Sequence, residues 1–541
     1  MATKTKKRAV AVILLVTMLA ALMAACSGNN DSPSASAGGS SSGTAGAKST
    51  ESASPAATEE APVTLDWLAY NSYGQPDANA SLVQMVEKKF NAKFNVWYVD
   101  NQKWVDQLNV KFAAGEMPDV LQIREQIPKY VDNGILAPIP EEKIRELAPT
   151  YAATIDKYDP NLWNAVKYDG KIYGLPSINL AGDYPTVVLW RQDWLDNVGI
   201  TKIPETLDEF EAALLKFRND DPDKDGKKDT YGLSSFAIPF VMGAFGYPGN
   251  NASYVMKDGK ITFAAIQPEM KDALTVLNKW YKEELIDPEF VTGENTGGYW
   301  ADSQAMYNGR IGLTGNGMFY QWRNELFGGD DQGGGQYQNF IKAQPNGKLT
   351  FGKPPVGPSG KSGTLQWGVN STAVGITTKA AENPRKLETL LKMLETTFTD
   401  YDYYLTVLRG NENEDWKKVD DTGKVQILNQ ATSVADLSKK GIQVFNIMNS
   451  PDFDKKADAD LYKFADSKKT TGYPPVIAPA VDSYAKYAGD LYKLATETYI
   501  KIILGEQPVS SFDAFVTKFK ANGGDEIEKD VNEAYNKMLG K

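Results

Sequence analysis

The sequence predicts an α/β fold, and three observations carry that expectation. Segments of strand and helix periodicity alternate near the start of the folded part. Apolar residues make up 42% of the chain and aromatics 11%, enough for sizeable cores. Setting aside the polar N-terminal stretch leaves about 480 residues, a length that suggests two domains or more. Taken in order, Thr64-Leu65-Asp66-Trp67-Leu68-Ala69-Tyr70 reads as a strand, and Leu82, Met85, Val86 and Phe90 recur at helical spacing. Phe94, Val96 and Tyr98 alternate as a second strand, Val105, Leu108 and Phe112 form a second helical stripe ended by Gly115, and residues 117–123 form a short third strand. That succession implies a mostly parallel sheet covered on both faces. Ligands of such sheets lie beyond the carboxyl ends of the strands, which singles out Tyr70, Asn71 and Ser72 after the first strand and Arg124 and Glu125 after the third. A second α/β region opens with a strand at 186–190, followed by a helix in which Thr206 and Glu209 stand at capping-box spacing. Lys257-Asp258-Gly259-Lys260 marks a hairpin within 255–263. Beyond about 375 the pattern is mainly helical, clearest at Leu387, Leu390, Leu391 and Leu394, and no short-period repeat occurs.

The N-terminus carries a basic head (Lys4, Lys6, Lys7, Arg8) and an apolar run over 9–23. That run of about 15 residues is shorter than the roughly 20 that span a bilayer, which favours a signal peptide over a transmembrane anchor. Met23-Ala24-Ala25-Cys26 resembles the bacterial lipobox, with Met23 where Leu is usual. The resemblance implies a signal over 1–25, a lipidated Cys26, and a place on the extracellular face of the cell membrane. Residues 26–61, mostly Ser, Ala, Gly and Thr, are expected to form a disordered tether; this tether and a lysine-rich surface favour a Gram-positive-type cell. Cys26 is the one cysteine and histidine is absent, which excludes Ser-His-Asp and Cys-His catalysis and most catalytic zinc sites. The net charge is −11, and removing a signal with four basic and no acidic residues makes it −15, a balance that argues against a nucleic-acid partner.

The sharpest local motif is Asp221-Pro222-Asp223-Lys224-Asp225-Gly226-Lys227-Lys228-Asp229. Carboxylates at positions 1, 3, 5 and 9, glycine at 6 and a carbonyl at 7 reproduce the first part of an EF-hand loop, but Gly232 stands where the bidentate glutamate belongs. A solvated turn is the plainer reading, since Asp, Gly and Lys all suit turns. Four mutually repelling aspartates in nine residues favour calcium in a structural role.

Residues 113–120, Ala-Ala-Gly-Glu-Met-Pro-Asp-Val, resemble the helix-to-strand turn of family 1 extracellular solute-binding proteins, the receptors of sugar-importing ABC transporters. Similar signatures follow at 168–176 (Tyr-Asp-Gly-Lys-Ile-Tyr-Gly-Leu-Pro), 191–195, 204–210, 285–289, 354–361 and 503–506, in the family's order. Length and the acidic loop are most similar to the alginate-oligosaccharide-binding branch. The resemblance implies a two-lobed, type II periplasmic-binding-protein-like fold with a cleft between lobes: 62–185 with 300–360, and 186–299 with 361–541. It also implies calcium ligands at Asp221, Asp223, Asp225, the Lys227 carbonyl, Asp229 and Thr230. The implied partners are an oligosaccharide and ABC permease subunits, with the chain itself a monomer. A sugar site needs flat aromatic platforms and a few polar groups. The candidates at strand exits and in irregular segments are Tyr70, Asn71, Arg124, Glu125, Trp190, Trp300, Asn316, Phe319, Trp367 and Tyr403, whereas Trp104, Trp194 and Trp280 lie on helix faces and read as packing residues. The expected function is capture of an oligosaccharide without catalysis; a carboxylate-pair polysaccharide-active enzyme and a sugar-sensing lipoprotein are the alternatives.

Overall fold

The computed structural model describes residues 60–69, 74–100, 103–247, 253–292, 298–327, 331–429 and 432–539. The expected signal peptide, Cys26 and nearly all of the tether, with Tyr70 and Asn71, lie outside the described residues. The elements used below are, in chain order, β1 (Val63–Leu68), α1 (Ser81–Phe90), β2 (Ala92–Val96), α2 (Trp104–Ala113), β3 (Val120–Gln122), β4 (Leu189–Arg191), α3 (Leu207–Asn219), β5 (Tyr231–Leu233), α4 (Ala301–Tyr307), β6 (Ile311–Thr314), β7 (Leu349–Phe351), β8 (Val374–Ile376), α5 (Pro384–Thr399), α6 (Ala459–Lys468) and α7 (Asp482–Leu504).

Among the described residues, two four-stranded sheets organise the fold. The first has the order β8-β3-β1-β2, with β1 parallel to both β2 and β3, and β8 antiparallel to β3. Asp119, just ahead of β3, accepts the Asp66 N–H at 2.8 Å and pairs with Lys386 of α5 at 2.7 Å. Because Asp119 is buried, that partnered charge staples β1, β3 and α5 together. The second sheet has the order β7-β4-β6-β5, with β6 parallel to β5 and antiparallel to β4. Its helix α3 begins with a complete capping box: the Glu209 N–H donates to Thr206 Oγ1 at 3.2 Å, and the Thr206 N–H donates to Glu209 Oε2 at 3.0 Å. The hairpin pairs Tyr254–Lys257 with Lys260–Phe263, and Asp258 and Gly259 both take positive φ (50° and 75°), as a tight primed turn requires.

Each sheet has its own core. One draws on residues 65–178 and 373–448, the other on 188–313 and 491–527. This is the two-lobed α/β architecture the sequence predicts, but the division of the chain differs from the expected one. Residues 300–360, expected in the first lobe, supply β6 and β7 to the second sheet; residues 373–448, expected in the second, supply β8 and much of the first core. The reason is strand pairing: β6 lies between β4 and β5, so the chain stays in the second lobe until β7 is placed.

The chain passes between lobes near 178–188, 364–373 and 470–481. Bridges Leu175↔Val374, Ile178↔Asn370 and Pro185↔Gln366 lace the first two passages antiparallel, and Thr364 and Leu365 pair in parallel with Gly472 and Tyr473 of the third. A Cβ on Gly182 would collide with the carbonyl oxygen of Gly368, which itself has φ +76°, so the closest approach of these passages depends on glycine at both positions. A small cluster of Tyr184, Met318, Phe319, Phe464 and Ala465 packs α6 against the first passage and the second lobe.

Candidate functional site

Where the passages meet the lobes they enclose a cleft of about 330 Å³, within the range of ligand pockets. The first lobe supplies Ile123, Glu125, Gln126 and Ile127 at the exit of β3, with Ala165 and Val166; the passages supply Trp367, Asn370–Ala373 and Pro475–Val481; the second lobe supplies Tyr254 and Tyr484. Prolines at 474, 475 and 479 keep the third passage extended until α7 begins, because they lack the N–H a helix needs. The rings of Tyr254 and Tyr484 stand 5.3 Å apart. At one edge the Tyr168 hydroxyl donates to Asp482 Oδ1 at 2.8 Å and joins the lobes directly. Trp367, 45% exposed, lines this cleft. A flat, uncovered indole beside Asn370, Gln126 and Glu125 can stack on an apolar ring face while the polar groups meet hydroxyls.

The sequence-derived candidates divide sharply. Glu125 and Trp367 line the cleft. Arg124 stands next to that lining, its guanidinium 3.9 Å over the Trp104 ring and its Nε donating to Gln122 Oε1 at 2.8 Å. Trp190 is a correction: it is wholly buried against Phe210 and Phe217, because a central strand covered on both faces has no solvent side. Tyr403 is another, 4% exposed and packed edge-on against Phe90. Phe319 lies in the cluster under α6, and Asn316 is fully buried. Trp104, Trp194 and Trp280 pack in the cores as expected. Sequence reasoning missed Tyr254, Tyr484 and the stretch 475–481; the dense prolines of that stretch were the signal that it is not helical.

Trp300 belongs to a separate group at the exits of β5 and β6. Asp302 Oδ2 accepts the Phe236 N–H at 3.2 Å and the Thr314 hydroxyl at 3.1 Å; Thr314 Oγ1 in turn accepts the Asn316 N–H at 3.1 Å, and Asn316 Nδ2 donates to the Tyr299 carbonyl at 2.8 Å. Burial pushes the Asp302 carboxyl up to about 7, opposed by hydrogen bonds from Thr314, the Phe236 N–H and Ser234 and helped by the negative Asp287 nearby. Asp287 itself is paired with Arg310 at 2.6 Å.

The acidic motif forms a loop after α3. Asp221 closes it, accepting the N–H groups of Asp225 (3.2 Å) and Gly226 (3.0 Å), and Asp221, Lys224 and Gly226 adopt positive φ. One carboxylate oxygen from each of Asp221, Asp223 and Asp225 lies within 4.8 Å of the others. Partial burial raises the Asp223 carboxyl, as do its hydrogen bond with Asp221 and the charge of Asp225. Lys227 donates to Asp225 Oδ2 at 2.5 Å and holds that carboxyl low. These hard oxygen donors suit calcium. Thr230 does not join them: its hydroxyl is buried and donates to the Phe217 carbonyl at 2.7 Å, which fastens the loop to α3 instead. Asp229 is exposed beyond the three-carboxylate group. Arg218 anchors the loop's return, donating to the Lys228 carbonyl at 2.9 Å and pairing with Glu284 at 2.8 Å.

Comparison with known proteins agrees with this architecture. The chain is 24% identical over 502 residues (91% of this chain, 95% of the relative) to the polygalacturonan/rhamnogalacturonan-binding protein YtcQ of Bacillus subtilis (strain 168). It is 24% identical over 484 residues (85% and 89%) to lipoprotein LipO of the same organism. Its fold matches the crystal structure of the alginate-binding protein AlgQ2 without calcium ion, with a TM-score of 0.64 at 20% identity, covering 88% of this chain and 99% of that one. Among the described residues no helix is long and apolar enough to cross a membrane. Residues 73–397 match the model of the bacterial extracellular solute-binding proteins, and it is to this family that the chain belongs.

Proposed function

We propose that this chain is the substrate-capturing lipoprotein of an ABC importer, holding an oligosaccharide in the cleft between its lobes and presenting it to permease subunits. The observation that carries this reading is the cleft itself, lined by both lobes and their passages, with Trp367 uncovered at its wall. Closure of two lobes around hinge segments is an established way to enclose a ligand. Family membership and the names of YtcQ and AlgQ2, which bind polysaccharides or alginate, support a sugar cargo. The lipobox-like Cys26 and the relative named lipoprotein LipO support anchoring on the outer face of the membrane. Glycoside hydrolysis is disfavoured, because Glu125 is the one carboxylate among the described residues that line the cleft and hydrolysis needs a pair. Asp221, Asp223 and Asp225, with the Lys227 carbonyl and Asp229 at the positions the loop spacing assigns, would hold a structural calcium. Its charge would offset the repulsion that raises Asp223.

The test is calorimetric titration of the full-length chain, calcium-loaded, with oligogalacturonides, alginate trisaccharides and fructo-oligosaccharides, followed by chromatography of the mixtures. Saturable binding with unchanged sugars is expected. Release of shorter sugars would transfer the assignment to an enzyme, and no binding across the panel would sink the sugar reading.

A further inference from the structure

Among the described residues that line the cleft between the lobes, Glu125 is the one carboxylate and none is Lys or Arg. The polar side chains of the lining are otherwise neutral: the amides of Gln126 and Asn370 and the hydroxyls of Ser371 and Thr372, with the two tyrosines. The basic residues beside the lining are already engaged. Arg124 lays its guanidinium 3.9 Å over the Trp104 ring and donates its Nε to Gln122 Oε1. Lys129, one helical turn beyond Glu125, donates to Glu125 Oε1 at 3.3 Å. The charged group that joins the lobes at the edge is again an acid, Asp482, accepting the Tyr168 hydroxyl. The internal segments outside the described residues, 70–73, 101–102, 248–252, 293–297, 328–330 and 430–431, contain neither Lys nor Arg, so they bring no cation. A carboxylate that leaves water for such a cleft loses its hydration, and a paired cation is what offsets that loss. Acidic groups are recognised by arginine forks or lysine charges set against them. A sugar hydroxyl needs neither, because amides and hydroxyls can both donate to it and accept from it.

We propose that the cargo is an uncharged oligosaccharide, and that Glu125 sets this preference by occupying Lys129 while accepting from sugar hydroxyls. This rests on the oligosaccharide-receptor reading and names the chemical class of ligand that the cleft takes. Glu125 and Lys129 sum to no net charge, so an incoming uronate meets no unbalanced cation at the lining. Discrimination then comes from the unpaired acid as much as from the paired hydroxyls, since a rejected ligand is one whose polar group is desolvated without a partner.

The experiment titrates the full-length chain, loaded with one equivalent of calcium so that free cation does not bridge acidic sugars. The probes are kestose, maltotriose, trigalacturonic acid, the trimethyl ester of trigalacturonic acid, and an alginate trisaccharide. The tightest probe is expected to be uncharged, with both acids at least tenfold weaker. Its affinity is expected to change less than twofold between about 20 and about 500 mM salt, because no ion pair holds it. Glu125→Gln removes the anion and releases Lys129, and is expected to raise the affinity of the acids relative to the tightest uncharged probe at least threefold. The parent's own ranking decides the ligand class if that variant fails to fold. If an acid is the parent's tightest probe, the uncharged class is wrong while the receptor reading stands. If the folded variant keeps the parent's ratio, Glu125 does not set the preference. If the parent binds no probe, the receptor reading fails and the ligand class falls with it.

Discussion

The acidic loop gathers its three close carboxylates from five consecutive residues, 221–225, all within one lobe, whereas the cleft gathers its lining from segments between 123 and 484 in both lobes and two passages. A site built locally keeps its geometry when the lobes move; a site built across lobes exists only at one lobe separation. The loop is therefore suited to holding a structural ion whatever the ligand state. The cleft is suited to coupling ligand capture to closure, and the Tyr168–Asp482 hydrogen bond at its edge is one contact that opening would break.

The sharpest contrast between interior and cleft is between two tryptophans. Trp190→Ala removes a fully buried ring from the second core and is expected to cost about 3–5 kcal/mol of stability in denaturant unfolding. Trp367→Ala removes an exposed ring and is expected to leave stability unchanged while weakening oligosaccharide binding about tenfold, or ~1.4 kcal/mol. Equal stability losses for the two would merge cleft and core and break the comparison. Next in size is calcium. At a hundredfold excess over its dissociation constant it should stabilise the chain by about 2.7 kcal/mol. Asp223→Asn should abolish most of that gain with sugar affinity unchanged, as thermal melts and titration with and without chelator would report. A loss of sugar affinity in that variant would tie the loop to the cleft after all.

The smallest effect expected is on pH. Burial pushes Asp302 up to about 7 and Asp454 up to about 6, against about 3.9 in an unfolded chain. Both bind protons more tightly when folded, so their contribution to stability is complete below about pH 4 and is lost as pH rises through about 6 and 7. Asp302→Asn removes one of these terms. Melting temperatures should therefore favour the variant over the parent more at pH 8 than at pH 5, and a difference that does not change with pH would mean that Asp302 is not held protonated.

How much of this was legible in the sequence follows the same division. Apolar stripes in α1, α2 and α5, the capping box of α3 and the hairpin turn at Asp258-Gly259 are set by residues three or four apart, and all form as read. The aspartate spacing of the loop is local too, yet the orientation of Thr230 is not: its hydroxyl serves α3, a packing detail that spacing cannot carry. Trp190 stands at a strand exit in the sequence yet is buried, because its exposure depends on the strands that flank β4, which are distant in the chain. Phe319 looked like a strand-exit platform, but it is covered by α6, a helix about 140 residues later in the chain. The lobe boundaries failed for the same reason, since the place of β6 between β4 and β5 is a long-range pairing. Tyr254 and Tyr484, far apart in the chain, become neighbours only when the second lobe is assembled.

The most direct measurement is hydrogen exchange along the calcium-loaded full-length chain with and without its tightest oligosaccharide. Sugar is expected to slow exchange at 123–127, 367–373 and 476–484 and to leave 221–230 unchanged. Protection confined to 221–230, or spread evenly over both lobes with none added at the cleft segments, would contradict the placement of the ligand between the lobes.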